Sequence, residues 1–183
     1  MKEDFESVRQ KYKPEVIKFL LIAEAPPKVE SKRFFYFEDV QNGDSLFLET
    51  MKVLYPDDCS VTKNVRRQKR KFLERFKNDR FYLIDATDTP MEDSRPAEKR
   101  EQIKKSLPSL IKKIRSVASE DTKIILISST VYNVAVHVLK LEGFNVINEC
   151  MIDFPGSGGQ AKFRNKISAL LQKYGWRASY NTA

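Results

Sequence analysis

The chain of 183 residues is 41% hydrophobic and 32% charged, which is typical of one globular domain with a buried core. Its 33 lysine and arginine residues exceed the 25 acidic residues, so the formal charge is +8. This excess of positive charge indicates a polyanionic partner, and nucleic acid is the first candidate. With 6 glycines, 8 prolines, 11% aromatic residues and no internal period, the composition excludes a collagen-like chain, a disordered chain and a repeat array.

Cysteine and histidine are too sparse for the common metal centres. Cys59 and Cys150 are far apart and outside any CxxC motif, and His137 is the only histidine. We therefore expect no zinc, no iron–sulfur cluster and no other cofactor. The charged N-terminus and the lack of a long apolar run predict neither a signal peptide nor a membrane span. The expected protein is cytoplasmic and monomeric.

Four short apolar runs predict β-strands at residues 16–23, 80–86, 123–129 and 144–148. They are apolar at nearly every position, as in strands buried on both faces of a parallel sheet, and helical crossovers fit between them. We predict one domain, residues 1–183, folded as a three-layer α/β/α sandwich around a four-stranded parallel sheet. Ligands of such folds bind beyond the carboxyl ends of the strands, where the connecting loops converge.

The loop after the first strand begins with Glu24 and two prolines follow it. Prolines stiffen the loop and hold the carboxylate in a fixed pose, which suits the activation of water or the stabilisation of a developing cation. Glu30, Asp85 and Asp88 are candidate partners. The alternative is that the Glu24 carboxylate only accepts hydrogen bonds from the loop backbone.

An aromatic run, residues 34–37, follows this loop. Phe35 or Tyr36 could stack on an unpaired base, but four consecutive aromatic residues are equally typical of packing against the body of the protein.

The first crossover contains a predicted helix at residues 44–55, with Asp44 as its N-cap, and then a strongly basic segment. Residues 63–80 hold nine basic and two acidic residues, so this segment alone carries +7. On a helix its basic side chains would face outward and contact phosphates, and the alternative is a merely solvated face. The residues assigned to nucleic-acid contact are Arg66, Arg67, Arg70 and Lys71.

The next crossover predicts a helix at about residues 96–119, with an apolar stripe that faces the sheet and a kink or break at Pro108. Residues 131–141 predict another helix with the same stripe, and one more helix closes the chain.

A glycine-rich turn, residues 156–159, separates the fourth predicted strand from the last helix. Its backbone N–H groups and the helix end could cradle a phosphate, or the glycines could serve only a tight turn with positive φ angles. No strand with an acidic residue follows, so a dinucleotide site is excluded. The residues assigned to phosphate contact are Gly156, Ser157, Gly158, Gly159, Gln160, Lys162 and Arg164.

Taken together, these loops resemble the uracil-DNA glycosylase superfamily. One branch of the superfamily carries G-E-A-P-G-x-x-E after the first strand, and residues 23–30 here keep Glu24, Ala25, Pro26 and Glu30. Asp85 occupies the place of the polar residue, commonly Asn, that reads the base. Residues 154–157, Phe-Pro-Gly-Ser, correspond to the H-P-S type motif after the fourth strand.

The resemblance implies a protein that flips a base out of DNA and hydrolyses its N-glycosidic bond. Glu24 and Glu30 would then act in catalysis, Asp85 in catalysis and base reading, and the base would contact Ala25, Pro26, Phe35, Tyr36 and Phe154. Phe154 in place of His removes a donor for a departing base anion, and a carboxylate at position 85 favours an amino-bearing base over uracil. Two alternatives stay open: a non-catalytic nucleic-acid binding module, and an enzyme of small nucleotides or phosphomonoesters.

Overall fold

The protein is described here by a computed structural model, which covers residues 4–156 and 158–178. Its sheet has three parallel strands, β1 (Phe19–Ala23), β2 (Phe81–Asp85) and β3 (Lys123–Leu126), in the order β2-β1-β3. Every residue of β1 and β2 is buried, which explains why their sequences are apolar except for Asp85 at the end of β2. The mixed α/β class and the three longer predicted strands are confirmed.

The fourth predicted strand is not continuous. In the segment that follows residue 143, only isolated parallel bridges form, at Val146 and at Ile152. Between them the side chain of Asn148 replaces the backbone: its Oδ1 accepts a hydrogen bond from the N–H of Leu126 at 3.1 Å, and its Nδ2 donates to the Leu126 carbonyl at 3.2 Å. The edge of β3 is thereby bonded without a fourth strand, so the expected four-stranded sheet is corrected to three strands.

Helices fill the connections between the strands. Within the described ranges they are α1 (Phe5–Lys11), α2 (Ser45–Leu54), α3 (Thr62–Arg67), α4 (Lys69–Asn78), α5 (Pro96–Val117), α6 (Ser129–Leu141) and α7 (Gln160–Lys173), with short 3-10 helices at Val29–Ser31 and Pro56–Asp58. The sequence did not predict α1. It predicted a kink or a break at Pro108, and α5 is continuous from Pro96 to Val117. Pro108 is exposed, so the carbonyl that loses its helical donor can be solvated and α5 continues.

The helices pack as two pairs, α5 against α6 and α2 against α7, while α4 packs against β2. Right-handed crossovers would put the two pairs on opposite faces of the sheet, so the three-layer sandwich remains a prediction that this packing favours. Across residues 4–156 and 158–178, the helices lack the combination of length and apolar character needed to cross a bilayer.

Candidate functional site

A cleft of about 520 Å³ opens where β1 and β2 end. The predicted site residues that line it are Glu24, Ala25, Pro26, Phe35, Asp85, Phe154 and Gly156. The loops after β1 and β2 and the segment before α7 therefore converge, as parallel strand ends predict. The loop after β3, residues 128–130, is not among the described residues that line the cleft.

Glu24 follows β1 directly, at the start of the proline loop, and lines the cleft. The side chain is 21% exposed, and its Oε2 lies 3.6 Å from Nζ of Lys99 in the first turn of α5. The Glu24 carbonyl, rather than its carboxylate, accepts a hydrogen bond from the N–H of Thr87. The carboxylate is thus available to a ligand, with one ammonium group beside it.

Asp85, the last residue of β2, has a buried carboxylate. Its Oδ2 accepts a hydrogen bond from Nη2 of Arg9 at 2.6 Å, and both side chains are 4% exposed. Burial raises the pKa of Asp85 to about 6, although the positive charge of Arg9 opposes the shift. One oxygen of the carboxylate is therefore hydrogen-bonded to Arg9 of α1. The prediction that Asp85 reads the base did not include this bond.

Two predicted site residues lie elsewhere. Glu30 is exposed on the 3-10 helix Val29–Ser31 and lines a second cavity, of about 910 Å³, together with residues of α1. Tyr36 is fully buried; its hydroxyl donates to the carbonyl of Leu83 at 3.0 Å and accepts from the Leu83 N–H at 2.7 Å. The structure does not bring Glu30 to Glu24, and it places Tyr36 in the core rather than at a base-stacking position.

The aromatic run mainly packs the core, which was the alternative interpretation of the sequence. Phe34, Phe35 and Phe37 are also buried. Phe35 makes an edge-to-face contact with Phe47 of α2, with ring centroids 5.5 Å apart. Phe34, Phe35 and Phe47 nevertheless line the cleft, so they form an apolar wall for a planar ligand.

A buried charged cluster lies behind this wall. Asp44 precedes α2, but its side chain makes no cap hydrogen bond. Instead, Oδ1 accepts from Nε and Nη2 of Arg66 at 2.9 and 2.8 Å, and Oδ2 lies 3.7 Å from Nζ of Lys69. The Lys69 side chain is completely buried, and burial lowers its pKa to about 8 against the attraction of Asp44. The guanidinium of Arg66 is held by Asp44, and its contact with a phosphate stays a prediction.

The other three residues of this segment that the sequence assigned to nucleic-acid contact are exposed. We call Arg67, Arg70 and Lys71 the basic surface; they lie at the junction of α3 and α4. Arg70 Nε donates to Glu74 at 3.0 Å, but both side chains stay at least half exposed. Arg66 and Lys69, their neighbours in sequence, pair with Asp44 of the cleft, but the basic surface itself is not among the described residues that line the cleft.

The glycine-rich turn has a structural explanation. Gly158 has a φ of +78°, and a Cβ on Gly159 would come within 2.4 Å of the carbonyl oxygen of Phe154. The Gly159 N–H donates to the Gly156 carbonyl at 3.0 Å, so this donor is used within the turn. The tight-turn alternative accounts for these glycines, and contact with a phosphate remains a prediction.

The residues after the turn differ in their availability. Gln160 begins α7, and Lys162 is exposed on its first turn. Arg164 is ion-paired with the buried carboxylate of Glu49. Ser157 lies outside the described residues. Lys162 is therefore the more accessible cation at this end of α7.

Sequence reasoning missed several cleft residues. Arg33, Glu92 and Lys99 line the cleft, and Arg33 Nη2 lies 3.2 Å from Glu92 Oε1. Lys99 was foreseeable, because the first turn of a crossover helix lies near the carboxyl ends of the strands. Arg33 and Glu92 follow no motif, so no signal in the sequence pointed to them.

Comparison with protein-family models, with curated proteins and with solved structures gave no match to this chain. Among the described residues, no group of three or more His, Cys, Asp or Glu side chains is placed to hold a metal ion. The cleft and its side chains are therefore the features that indicate function.

Proposed function

We propose that the cleft binds a base flipped out of nucleic acid and that the protein hydrolyses the N-glycosidic bond of that base. One observation carries the proposal: the accessible carboxylate of Glu24 and the aromatic wall share a single cleft at the strand ends. This cleft has room for a nucleobase with its sugar. We also propose that the fold is similar to that of the uracil-DNA glycosylases.

Glu24 would activate the attacking water. Its carboxylate takes a proton from water as the oxygen bonds to C1′ of the sugar, and the electron pair of the breaking C1′–N bond leaves with the base, which then takes a proton from solvent. The negative charge of Glu24 also stabilises the positive charge that develops on the sugar. Lys99, beside Glu24, counterbalances this carboxylate before the reaction.

Asp85 and Phe154 would bind the base. Phe154 is 43% exposed at the cleft, so its ring offers a surface on which a base can stack. Asp85 accepts hydrogen bonds when ionised and so favours a base with an exocyclic amino group. Its bond to Arg9 leaves it less free for this role than the sequence suggested.

The basic surface would bind the phosphate backbone next to the flipped nucleotide. Arg67 and Lys71 are exposed, and the same basic segment reaches the cleft through the ion pair of Arg66 with Asp44. Such contacts supply sequence-independent affinity that falls steeply with salt. The expected partner is therefore DNA or RNA rather than a free mononucleotide.

A second candidate is a non-catalytic nucleic-acid binding module. It is favoured by the separation of Glu30 from Glu24 and by the Arg9 bond of Asp85, because both reduce the set of free carboxylates around the cleft. Under this alternative the cleft would hold a base without breaking its bond.

An oligonucleotide panel tests the proposal. End-labelled single and double strands carry one central base, either normal, deaminated or mismatched, and are incubated with the protein and then treated with alkali. Strand breaks at the central base are expected and would name the base. Intact strands that the protein still retards on a native gel would replace the hydrolase with the binding module. Strands neither broken nor retarded would remove both.

A further inference from the structure

Asp44 is a buried charged residue at the cleft whose hydrogen bonds are incomplete. The residue lines the cleft, and its side chain has no exposed surface. Its Oδ1 accepts two hydrogen bonds from Arg66, but Oδ2 is buried and has no hydrogen-bond partner among the described residues. Nζ of Lys69, at 3.7 Å, is too distant for a hydrogen bond.

A buried carboxylate oxygen without a donor is unfavourable and is uncommon in folded proteins. The charge of Asp44 is balanced by Arg66 and Lys69, so what is missing is a donor and not a counter-ion. Oδ2 is not accessible to solvent, so a ligand can donate a hydrogen bond to it only if the residues that cover it move. Gly43 and Ser45, on either side of Asp44, are small and also line the cleft.

We propose that Oδ2 of Asp44 accepts a hydrogen bond from the exocyclic amino group of the base in the cleft, and that this contact selects amino-bearing bases. The inference rests on the proposed function and adds the class of base that the cleft accepts. It transfers base selection from Asp85 to Asp44, because the Asp85 carboxylate already accepts a hydrogen bond from Arg9.

The surroundings of Asp44 suit a flat, amino-bearing ring. Phe34 and Phe47 line the cleft, and because both side chains are buried they give it an apolar boundary rather than open stacking faces. Lys69 lies over the ring of Phe47, with Nζ 4.3 Å from the ring centroid, so its ammonium is held behind the wall rather than in the cleft. The amino group of a base would then be the donor that reaches Oδ2 from the cleft side.

The variant Asp44→Asn is designed to replace Oδ2 with a group that cannot accept a hydrogen bond. Arg66 only donates hydrogen bonds, so the single carbonyl oxygen of the asparagine is expected to face Arg66. The amide NH₂ then occupies the position of Oδ2, where it cannot accept from an amino group. Glu92→Gln is the matched control, because Glu92 lines the same cleft but pairs with Arg33.

The experiment compares two single-stranded oligonucleotides that differ in one group. One carries a central adenine and the other a central purine, which lacks the exocyclic amino group. We expect the wild-type protein to bind the adenine strand about tenfold more tightly, since one hydrogen bond to a charged group separates them. Asp44→Asn should abolish this preference, and Glu92→Gln should keep it. Circular dichroism and thermal unfolding verify that each variant is folded.

The outcomes separate the two proposals. Equal wild-type binding of the two strands overturns the role of Asp44 and leaves the proposed function standing, and this result needs no variant. A preference that survives in folded Asp44→Asn also overturns the role of Asp44, as does its loss in Glu92→Gln. Failure to bind either strand overturns the inference, and it overturns the proposed function as well if the protein neither breaks nor retards any strand of the panel.

Discussion

Nη2 of Arg9 lies 2.6 Å from Oδ2 of Asp85, and this buried ion pair joins α1 to the end of β2 across 76 residues of sequence. The pair fixes the floor of the cleft, because Asp85 lines it. It also explains why a charged residue is tolerated at the end of an otherwise apolar strand: the cation satisfies the carboxylate that burial would otherwise neutralise.

Removing one partner of this pair should be costly. Arg9→Met alone is expected to lower the free energy of unfolding by about 3–5 kcal/mol, since it leaves the buried Asp85 carboxylate without its cation. Asp85→Asn alone should cost less, because Arg9 keeps its ion pair with Glu6 at 2.6 Å. The double variant should lose clearly less than the sum, because neither group is then left alone. Urea unfolding followed by circular dichroism measures all four proteins. Additive losses would show that the two side chains do not stabilise each other.

The pH dependence of stability should reveal the lowered pKa of Lys69. Its pKa is lowered to about 8 in the folded protein, so between this value and the ordinary 10.5 the unfolded chain binds more protons than the folded one. Stability from this residue therefore rises with pH across that window. The unfolding free energy of the wild type minus that of Lys69→Met should increase by about 2 kcal/mol from pH 8 to pH 10.

Tyrosines also titrate in alkali, but they do so in both proteins. Their contribution therefore cancels in the difference between the wild type and Lys69→Met. A difference that stays constant with pH would mean that Lys69 has an ordinary pKa, and hence that it is not sealed behind the cleft wall.

Neutralising the basic surface should weaken nucleic-acid binding and its dependence on salt. Replacing Arg67, Arg70 and Lys71 with Ala is expected to reduce the slope of log K against log salt by about 2, if each contacts one phosphate of a single strand. Replacement of the exposed residues Arg115, Lys140 and Lys173 is the matched control and should leave more of the slope intact. An equal change in both triple variants would show that the basic surface has no special role.

Arg66→Ala should behave differently from the basic surface, although the sequence grouped these residues. Because Arg66 donates two hydrogen bonds to buried Asp44, its loss should lower the free energy of unfolding by about 1–3 kcal/mol, with little effect on the salt slope. Chemical unfolding and salt titrations measure the two quantities. A reduced slope with unchanged stability would return Arg66 to the phosphate contacts.

The two glycines before α7 should differ in their tolerance of alanine. Gly158→Ala meets open space and carries only the strain of its positive φ, about 1 kcal/mol. Gly159→Ala places Cβ against the Phe154 carbonyl, so the turn must shift and Phe154 with it. We expect the larger loss of thermal stability and of oligonucleotide affinity in Gly159→Ala. Equal losses would contradict the close approach at Gly159.

The strands were predictable because burial on both faces demands continuous apolar sequence, as in β1 and β2. The fourth strand was overpredicted because its segment is apolar for only a few residues, and nothing in the sequence shows that the Asn148 side chain replaces a strand backbone. The convergence of Glu24, Asp85 and Phe154 followed from parallel topology.

Long-range pairings were not predictable. Arg9 reaches Asp85, and Arg66 reaches Asp44, through the tertiary fold and without any sequence spacing that reveals the partner. The sequence therefore indicated candidate residues for the cleft. It did not show which of their charged groups are already ion-paired within the protein.

The most direct test is the rate of base release from the oligonucleotide that the panel identifies, measured in single turnover with the wild type, Glu24→Gln and Glu30→Gln. These matched variants remove one carboxylate inside the cleft and one outside it. Glu24→Gln is expected to slow release by at least about 100-fold with affinity within about threefold, whereas Glu30→Gln should react at nearly the wild-type rate. Undiminished release in Glu24→Gln would contradict the proposed catalytic role of the cleft carboxylate.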